Sequence, residues 1–374
     1  MPMPTRYGEL SLIERLKLIP ILLFIPCVAL MGALTAPWSV HWEWNKSWSR
    51  IFKIRILRYM LGAASTPQLQ WLLGSSLANY TRWIAAHGSQ PVVDEIGEGA
   101  RLLWLGERRY DRMILYIPGG AYVLPVYEEL MDFVNLLQRE VGDSTSSVGL
   151  AILDYGLVPY VNFPSQLRQA NAAISHLFAA GVSSQNLQII SDSAGANLVI
   201  QVLSHALHPI NSIPRSPLTP MLEGTMPPIR GIYMLSPWTF HGMRYGNVVH
   251  SNCFDENDAN DFASASMLRY WASSVFPHIS REQQPYIEAA VAPSDWFDDV
   301  HLLVDRILVT AAQYECLRDH IVEFCHTQLA SVESLKLVLV EGAVHGDPIL
   351  TAGTPEGKGT KQKIVAWLKE GFDI

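Results

Sequence analysis

Around Ser193 the chain changes its period with no room for a loop. Asn186 to Ile190 reads as a short buried strand and Ala194 to Leu207 as an apolar helix, with only Ser191-Asp192-Ser193-Ala194-Gly195 at the junction. A chain that passes this abruptly from period 2 to period 3.6 must turn sharply at its middle residue. That turn strains the backbone of Ser193, turns its hydroxyl outward, and needs small neighbours because strand and helix run close together. A helix hard behind a strand belongs to a sheet that carries helices on its faces.

The rest of the chain repeats this alternation. Strands are expected at Arg112–Ile117, Val148–Asp154, Ile229–Leu235, Arg306–Ala311 and Leu335–Glu341, and helices at Phe163–Ala180 and Thr360–Phe372. Strands separated by helices predict an α/β fold, a mostly parallel central sheet flanked by helices. With 49% apolar and 17% charged residues in 374, the chain can bury one large core. From about His250 to Gln284 the rhythm breaks into Asn, Asp, Ala and Ser, then Met267, Leu268, Tyr270 and Trp271. This segment reads as a helical cap over the C-terminal edge of the strands, where α/β sheets place their sites. A net charge of −8 argues against a nucleic-acid partner, which needs a basic face to neutralise phosphates. Cys27, Cys253, Cys316 and Cys325 are spaced for neither a zinc site nor a disulfide framework, and read as reduced, packed thiols.

The N-terminus has a different character. Leu18 to Val40 holds no charged residue and is long enough to cross a bilayer as a helix, Pro20 and Pro26 included. Trp38, Trp42, Trp44 and Trp48 come next, as at a lipid–water boundary. Arg50, Lys53, Arg55 and Arg58 are then interleaved with apolar residues, a pattern suited to a membrane surface. As a signal peptide the segment has a poor cleavage site, since Leu34 stands where a small residue is wanted if the cut comes after Ala36. A buried core helix would leave the tryptophans and basic residues unexplained. The expectation is a retained single-pass anchor. Its orientation stays open: the basic residues after the segment favour a cytoplasmic body, while Asn45-Lys46-Ser47 and Asn79-Tyr80-Thr81 are glycosylation acceptors, of use only on the lumenal side.

Three further features gather around Ser193. Pro118-Gly119-Gly120 lies after a strand and before the serine turn, so the backbone N–H groups of Gly119 and Gly120 can approach a ligand. The N–H of Ala194 at the helix start is a third donor. A serine becomes a nucleophile only when a histidine takes its proton and a carboxylate orients that histidine. Both are expected in loops at later strand ends. His345 lies just past Leu335–Glu341, whereas His320 and His326 read as surface positions on a helix. For the acid, Glu315 is nearest its strand end, while Asp319 lies further along and suits the start of the next helix.

Together these pieces resemble the hormone-sensitive-lipase-like branch of the α/β-hydrolases, nearest to its fungal members, including steryl acetyl hydrolases. The family's H-G-G-G oxyanion loop corresponds to Pro118-Gly119-Gly120-Ala121, and its G-D-S-A-G-G elbow to Ser191 through Ala196. The segment D-Y-R-L-A-P corresponds to Asp154 through Pro159, with Phe163-Pro164 after it. The acid motif D-x-L-R-D corresponds to Glu315 through Asp319, and carries the acid onto Glu315. Pro118, Ala121, Ser191 and Glu315 depart from the family pattern. The resemblance implies an α/β-hydrolase fold and a serine esterase using Ser193, His345 and Glu315, with Gly119, Gly120 and Ala194 holding the oxyanion and no cofactor or metal. It further implies an apolar ester substrate, acetyl or short acyl, of a sterol, terpenoid or polyketide. The expected organisation is a tail (1–17), a membrane segment at the endoplasmic reticulum (18–40), a helical region contributing to the cap (41–100) and the catalytic domain (101–374), with the cap insertion at about 250–284. An acyltransferase or cyclase with the same site, and a non-catalytic membrane-anchored protein of the same fold, remain alternatives.

Overall fold

The computed structural model describes residues 7–39, 46–142, 147–242, 253–277 and 279–374. Eight strands form one sheet: β1 Val92–Glu95, β2 Arg101–Trp104, β3 Met113–Ile117, β4 Gly149–Asp154, β5 Leu187–Asp192, β6 Gly231–Leu235, β7 Ile307–Ala312 and β8 Leu335–Val340. Their spatial order is β1-β2-β4-β3-β5-β6-β7-β8. β1–β2 and β2–β4 pair antiparallel, and every other neighbouring pair is parallel. The expected α/β sheet is therefore present, with two antiparallel strands on one side, β1 at the edge and β2 next to it, that the sequence pattern did not reveal. Both lie at or before residue 104, so the sheet begins ahead of the expected domain start at 101.

Alternation along the strands divides the core in two. Met113, Leu115 and Ile117 face the cluster that includes Leu167, Ile174, Leu198 and Val202 from helices Ser165–Ala179 and Ser193–Leu207. Ile114 and Tyr116 face the other, with Phe133 and Leu137 of helix Glu128–Val141 and Trp367 and Leu368 of helix Lys358–Gly371. Strands buried on both faces are the mark of a parallel sheet covered by helices. The segment between β6 and β7 carries helices Cys253–Asn257 and Ala265–Val275, and Met267, Leu268 and Trp271 pack into the first cluster. Residues 250–252 and 278 of the expected insertion lie outside the described residues.

At the N-terminus one helix runs from Leu12 to Thr35, six residues earlier than the uncharged run, with Ser11 accepting from Glu14 N–H as its cap. With the turn after it, Leu12–Trp38 is long and apolar enough to cross a membrane. Leu12, Leu16, Leu23, Leu30 and Leu34 are exposed on it, and Cys27 is exposed rather than packed. Its other side lies along helix Trp48–Ala63, where Tyr59 Oη donates to Ile21 O at 3.2 Å and Gly32 meets Arg55. Val40, Trp42, Trp44 and Asn45 lie outside the described residues.

The basic stripe of helix Trp48–Ala63 turns out to face two ways. Arg50 is buried and paired with Asp347 and Glu356, and it also donates to Gly342 O at 3.3 Å. Arg58 donates to Asp261 O at 2.7 Å and pairs with Asp258 at 3.0 Å. Two of the four residues expected on a membrane surface are thus bonded into the protein body, while Lys53 is exposed. The second glycosylation acceptor is also corrected. Asn79 is buried, and its Nδ2 donates to Leu73 O and Val126 O at 2.9 and 2.8 Å, which leaves no space for a glycan.

Candidate active site

β5 ends at Asp192, and Ser193 is the first residue of helix Ser193–Leu207. Ser193 has φ +49°, the left-handed backbone that an abrupt strand-to-helix turn imposes. The need for small neighbours is concrete at Gly195. A Cβ there would stand 2.1 Å from Ile117 O, so no other residue lets the helix start this close to β3. Ser191, in place of the family's first glycine, is housed inside the sheet, where its Oγ donates to Tyr233 O at 3.2 Å.

The structure brings Ser193, His345 and Glu315 together from three strand ends. Glu315 lies after β7 and is fully buried. Its Oε1 accepts from Ala312 N–H at 2.6 Å and from Ser236 Oγ at 3.2 Å. Its Oε2 accepts from His345 Nδ1 at 2.8 Å. A carboxylate only accepts, so it fixes the imidazole proton on Nδ1 and leaves Nε2 to accept from Ser193 Oγ, 2.8 Å away. Burial alone would push the His345 pKa down. The hydrogen bond and charge of Glu315, with the charges of Asp261 and Asp192, outweigh it and hold the imidazole above its ordinary value. Asp319 instead sits in the first turn of helix Arg318–Thr327 and pairs with Arg318 at 2.7 Å. His326 is exposed as expected, but His320 is not a surface residue. It is buried, stacked on Phe240 with ring centres 4.3 Å apart, and burial lowers its pKa to about 4.

The glycine loop departs from expectation at one residue. Gly119 N–H donates to Asp192 Oδ1 at 2.8 Å, so it is committed inside the protein and not available to a ligand. A Cβ on Gly119 would lie 2.3 Å from Asp192 Oδ2, which accounts for the glycine there. Among the described residues, Gly120, Ala121 and Ala194 have N–H groups that no protein acceptor takes. Ala121 has φ +53°, an uncommon backbone for a residue with a Cβ. Pro118 cannot orient the loop as a side-chain donor, yet its carbonyl accepts from Tyr155 Oη at 2.7 Å. Asp192 also accepts from Tyr116 Oη at 2.5 Å. Sequence reasoning does not single out Asp192 or Ser236. Asp192 carries a signal all the same, as the residue beside the nucleophile in a strand-end motif.

Comparison with known proteins agrees with this architecture. A family described as the alpha/beta hydrolase fold matches residues 114–348. No curated protein sequence matches the chain. Among solved structures, the chain is similar to carboxyl esterase 2 from the mycorrhizal fungus Tuber melanosporum, at 20% identity and TM-score 0.57 over 76% of this chain and 87% of that one. It is similar to an esterase/lipase from an uncultured bacterium, at 19% identity and TM-score 0.61 over 88% of this chain and 100% of that one. An esterase of the bacterial hormone-sensitive lipase family gives 20% identity and TM-score 0.59 over 87% and 92%. At such identities the likeness speaks for the fold.

Proposed function

The chain belongs to the alpha/beta hydrolase fold family, and on that premise we propose that it is a serine esterase that hydrolyses a carboxylic ester of an apolar compound. The observation that carries the reading is the unbroken chain of hydrogen bonds from Ser193 Oγ through His345 to Glu315, each link 2.8 Å. In this reading Ser193 Oγ attacks the ester carbonyl while its proton passes to His345 Nε2. The N–H groups of Gly120, Ala121 and Ala194 hold the oxyanion of the tetrahedral intermediate, with Ala121 in the role expected of Gly119. As the intermediate collapses, the alcohol leaves with the proton from His345. Water then attacks the acyl-serine, His345 takes a proton from it, and the acid departs as Ser193 recovers its hydrogen. Glu315 keeps its charge throughout and stabilises the imidazolium. Each step uses side chains and backbone of this chain alone.

The substrate class extends the same reading. In this reading the apolar helix Leu12–Thr35 tethers the protein to a lipid membrane, at the endoplasmic reticulum, and the insertion reaches the base, with the ring of Phe262 edge-on to His345 at 5.8 Å. Both suit a hydrophobic alcohol carrying an acetyl or short acyl group, of the sterol, terpenoid or polyketide type, as the likeness to fungal steryl acetyl hydrolases implies. The test is turnover of p-nitrophenyl acetate and of a sterol acetate by wild type and Ser193→Ala. Hydrolysis of both esters by wild type and of neither by the variant is expected. Turnover that survives in Ser193→Ala contradicts the mechanism, and wild type that cleaves the small ester alone contradicts the substrate class.

A further inference from the structure

Resting on that reading, we propose that Asp261, in the insertion between β6 and β7, is a positioning residue that ties the loop of Glu315 to the loop of His345. Its carboxylate accepts three backbone N–H groups. Oδ2 takes Cys316 N–H, one residue past Glu315, at 3.0 Å. Oδ1 takes His345 N–H and Ala263 N–H, both at 3.2 Å. The residue is fully buried, and neither oxygen is bonded to Ser193. One side chain therefore spans two loops that the chain separates by helix Arg318–Thr327 and strand β8.

The neighbours of Asp261 serve the same joint. Asn257 Nδ2 donates to Glu315 O at 3.0 Å, and Cys253 Sγ donates to Cys316 O at 2.8 Å. Asp261 N–H donates to Asn257 O at 2.9 Å, which closes the turn after helix Cys253–Asn257. Arg58 then holds the Asp261 carbonyl at 2.7 Å from the helix next after the apolar N-terminal segment. An insertion that reads in the sequence as a cover is in this way built into the support of the acid and the base. A base held within about half an ångström of its productive position, at hydrogen-bond distance from its partner, is what fast proton transfer needs.

Asp261 also acts through charge. The charges that act on His345 are those of Glu315, Asp261 and Asp192, and Arg58, which donates to the Asp261 carbonyl, is itself paired with Asp258. Burial raises the Asp261 pKa to about 7, against the charge of His345 and the N–H groups it accepts, so it carries negative charge beside the imidazolium in the upper part of the working range.

Asp261→Asn tests the proposal. An amide keeps the volume but offers one acceptor oxygen. With that oxygen toward His345 N–H, its NH2 meets Cys316 N–H, donor against donor. The expected result is a kcat for p-nitrophenyl acetate at least about tenfold lower, as the imidazole loosens, with KM within about twofold because no substrate contact is lost. The acid limb of the kcat/KM profile moves to lower pH, since a negative charge has gone. A folded variant with wild-type kcat and an unmoved acid limb overturns the proposal. If Asp261→Asn does not fold, Asp261→Glu decides, since it keeps the charge and carries both oxygens one methylene away from the positions that accept Cys316 N–H and His345 N–H. A lowered kcat at constant KM supports the proposal, and an unchanged kcat overturns it. Ser193→Ala in the same assay separates the two readings. If it retains turnover, the triad itself is wrong. If it is inactive while a folded Asp261 variant matches wild type, only the positioning role fails.

Discussion

Glu315→Gln removes one charge and almost no volume, and the donors around Glu315 determine its effect. The Oε1 atom accepts from Ala312 N–H at 2.6 Å and Oε2 from His345 Nδ1 at 2.8 Å, so both oxygens face donors. A glutamine must turn its NH2 toward one of them. Turned toward Ala312, it sets two donors 2.6 Å apart. Turned toward His345, it moves the imidazole proton to Nε2, where it faces Ser193 Oγ and cannot accept the hydroxyl proton. The second orientation abolishes the base, and the first strains the loop. Loss of the correct tautomer with geometry otherwise intact costs about 10,000-fold in kcat in serine hydrolases, about 5.5 kcal/mol of transition-state stabilisation. The assay is initial-rate hydrolysis of p-nitrophenyl acetate, normalised to folded protein by thermal melt. A Glu315→Gln enzyme that melts cooperatively and keeps kcat within about tenfold of wild type would refute the role assigned to Glu315.

Buried charge governs two further outcomes. Arg50→Met strands Asp347, which is buried and whose pKa burial has already raised to about 6 against the opposing charge of Arg50. The expected loss is about 3–5 kcal/mol by urea unfolding at pH 8, largely recovered in Arg50→Met/Asp347→Leu. Without Arg50 the Asp347 pKa climbs further, and a carboxyl that binds its proton more tightly folded than unfolded favours the fold as pH falls. The deficit therefore shrinks between pH 8 and pH 5, and a deficit that is flat with pH contradicts the assignment. His345 works in opposite senses on activity and stability. Its raised pKa places the acid limb of kcat/KM above the ordinary imidazole value of about 6.5, with activity lost as pH falls through it. The same shift contributes stability that is complete below the unfolded value and lost as pH rises through the folded one, so an acid limb below about 6 contradicts the charge arrangement around His345.

The sheet is legible in the sequence because its parallel strands are short apolar runs buried on both faces, set apart by helical patterns. β1 and β2 are not. Val92–Glu95 is half-exposed and pairs antiparallel at the edge, so no apolar run marks it. Ser193, Glu315 and His345 can be named because each lies just past a strand and its residue type limits its chemistry. The commitment of Gly119 N–H to Asp192 cannot, because it depends on β3 lying beside β5 with Ile117 opposite Ser191, a register no local pattern encodes. The arginines of helix Trp48–Ala63 show the same limit. Arg50 and Arg58 fall on one face by helical spacing, but the spacing is identical whether that face meets lipid or protein. Only Asp347 and Asp261, brought in from about 200 to 300 residues away, decide it. His320 reads as a surface position for a related reason, since the aromatic side chains of Phe240 and Phe254 that enclose it come from other parts of the chain.

The central claim is that Ser193 is a nucleophile activated by His345, and a fluorophosphonate tests it directly, because such a reagent phosphonylates an activated serine irreversibly. Intact-protein mass spectrometry after incubation should show a single adduct per chain, mapped by peptide sequencing to the segment holding Ser191-Asp192-Ser193 and specifically to Ser193. Ser193→Ala should take up no label, and His345→Ala should label far more slowly. A folded wild-type protein that gains no adduct, or gains it on a serine other than Ser193, would contradict the account.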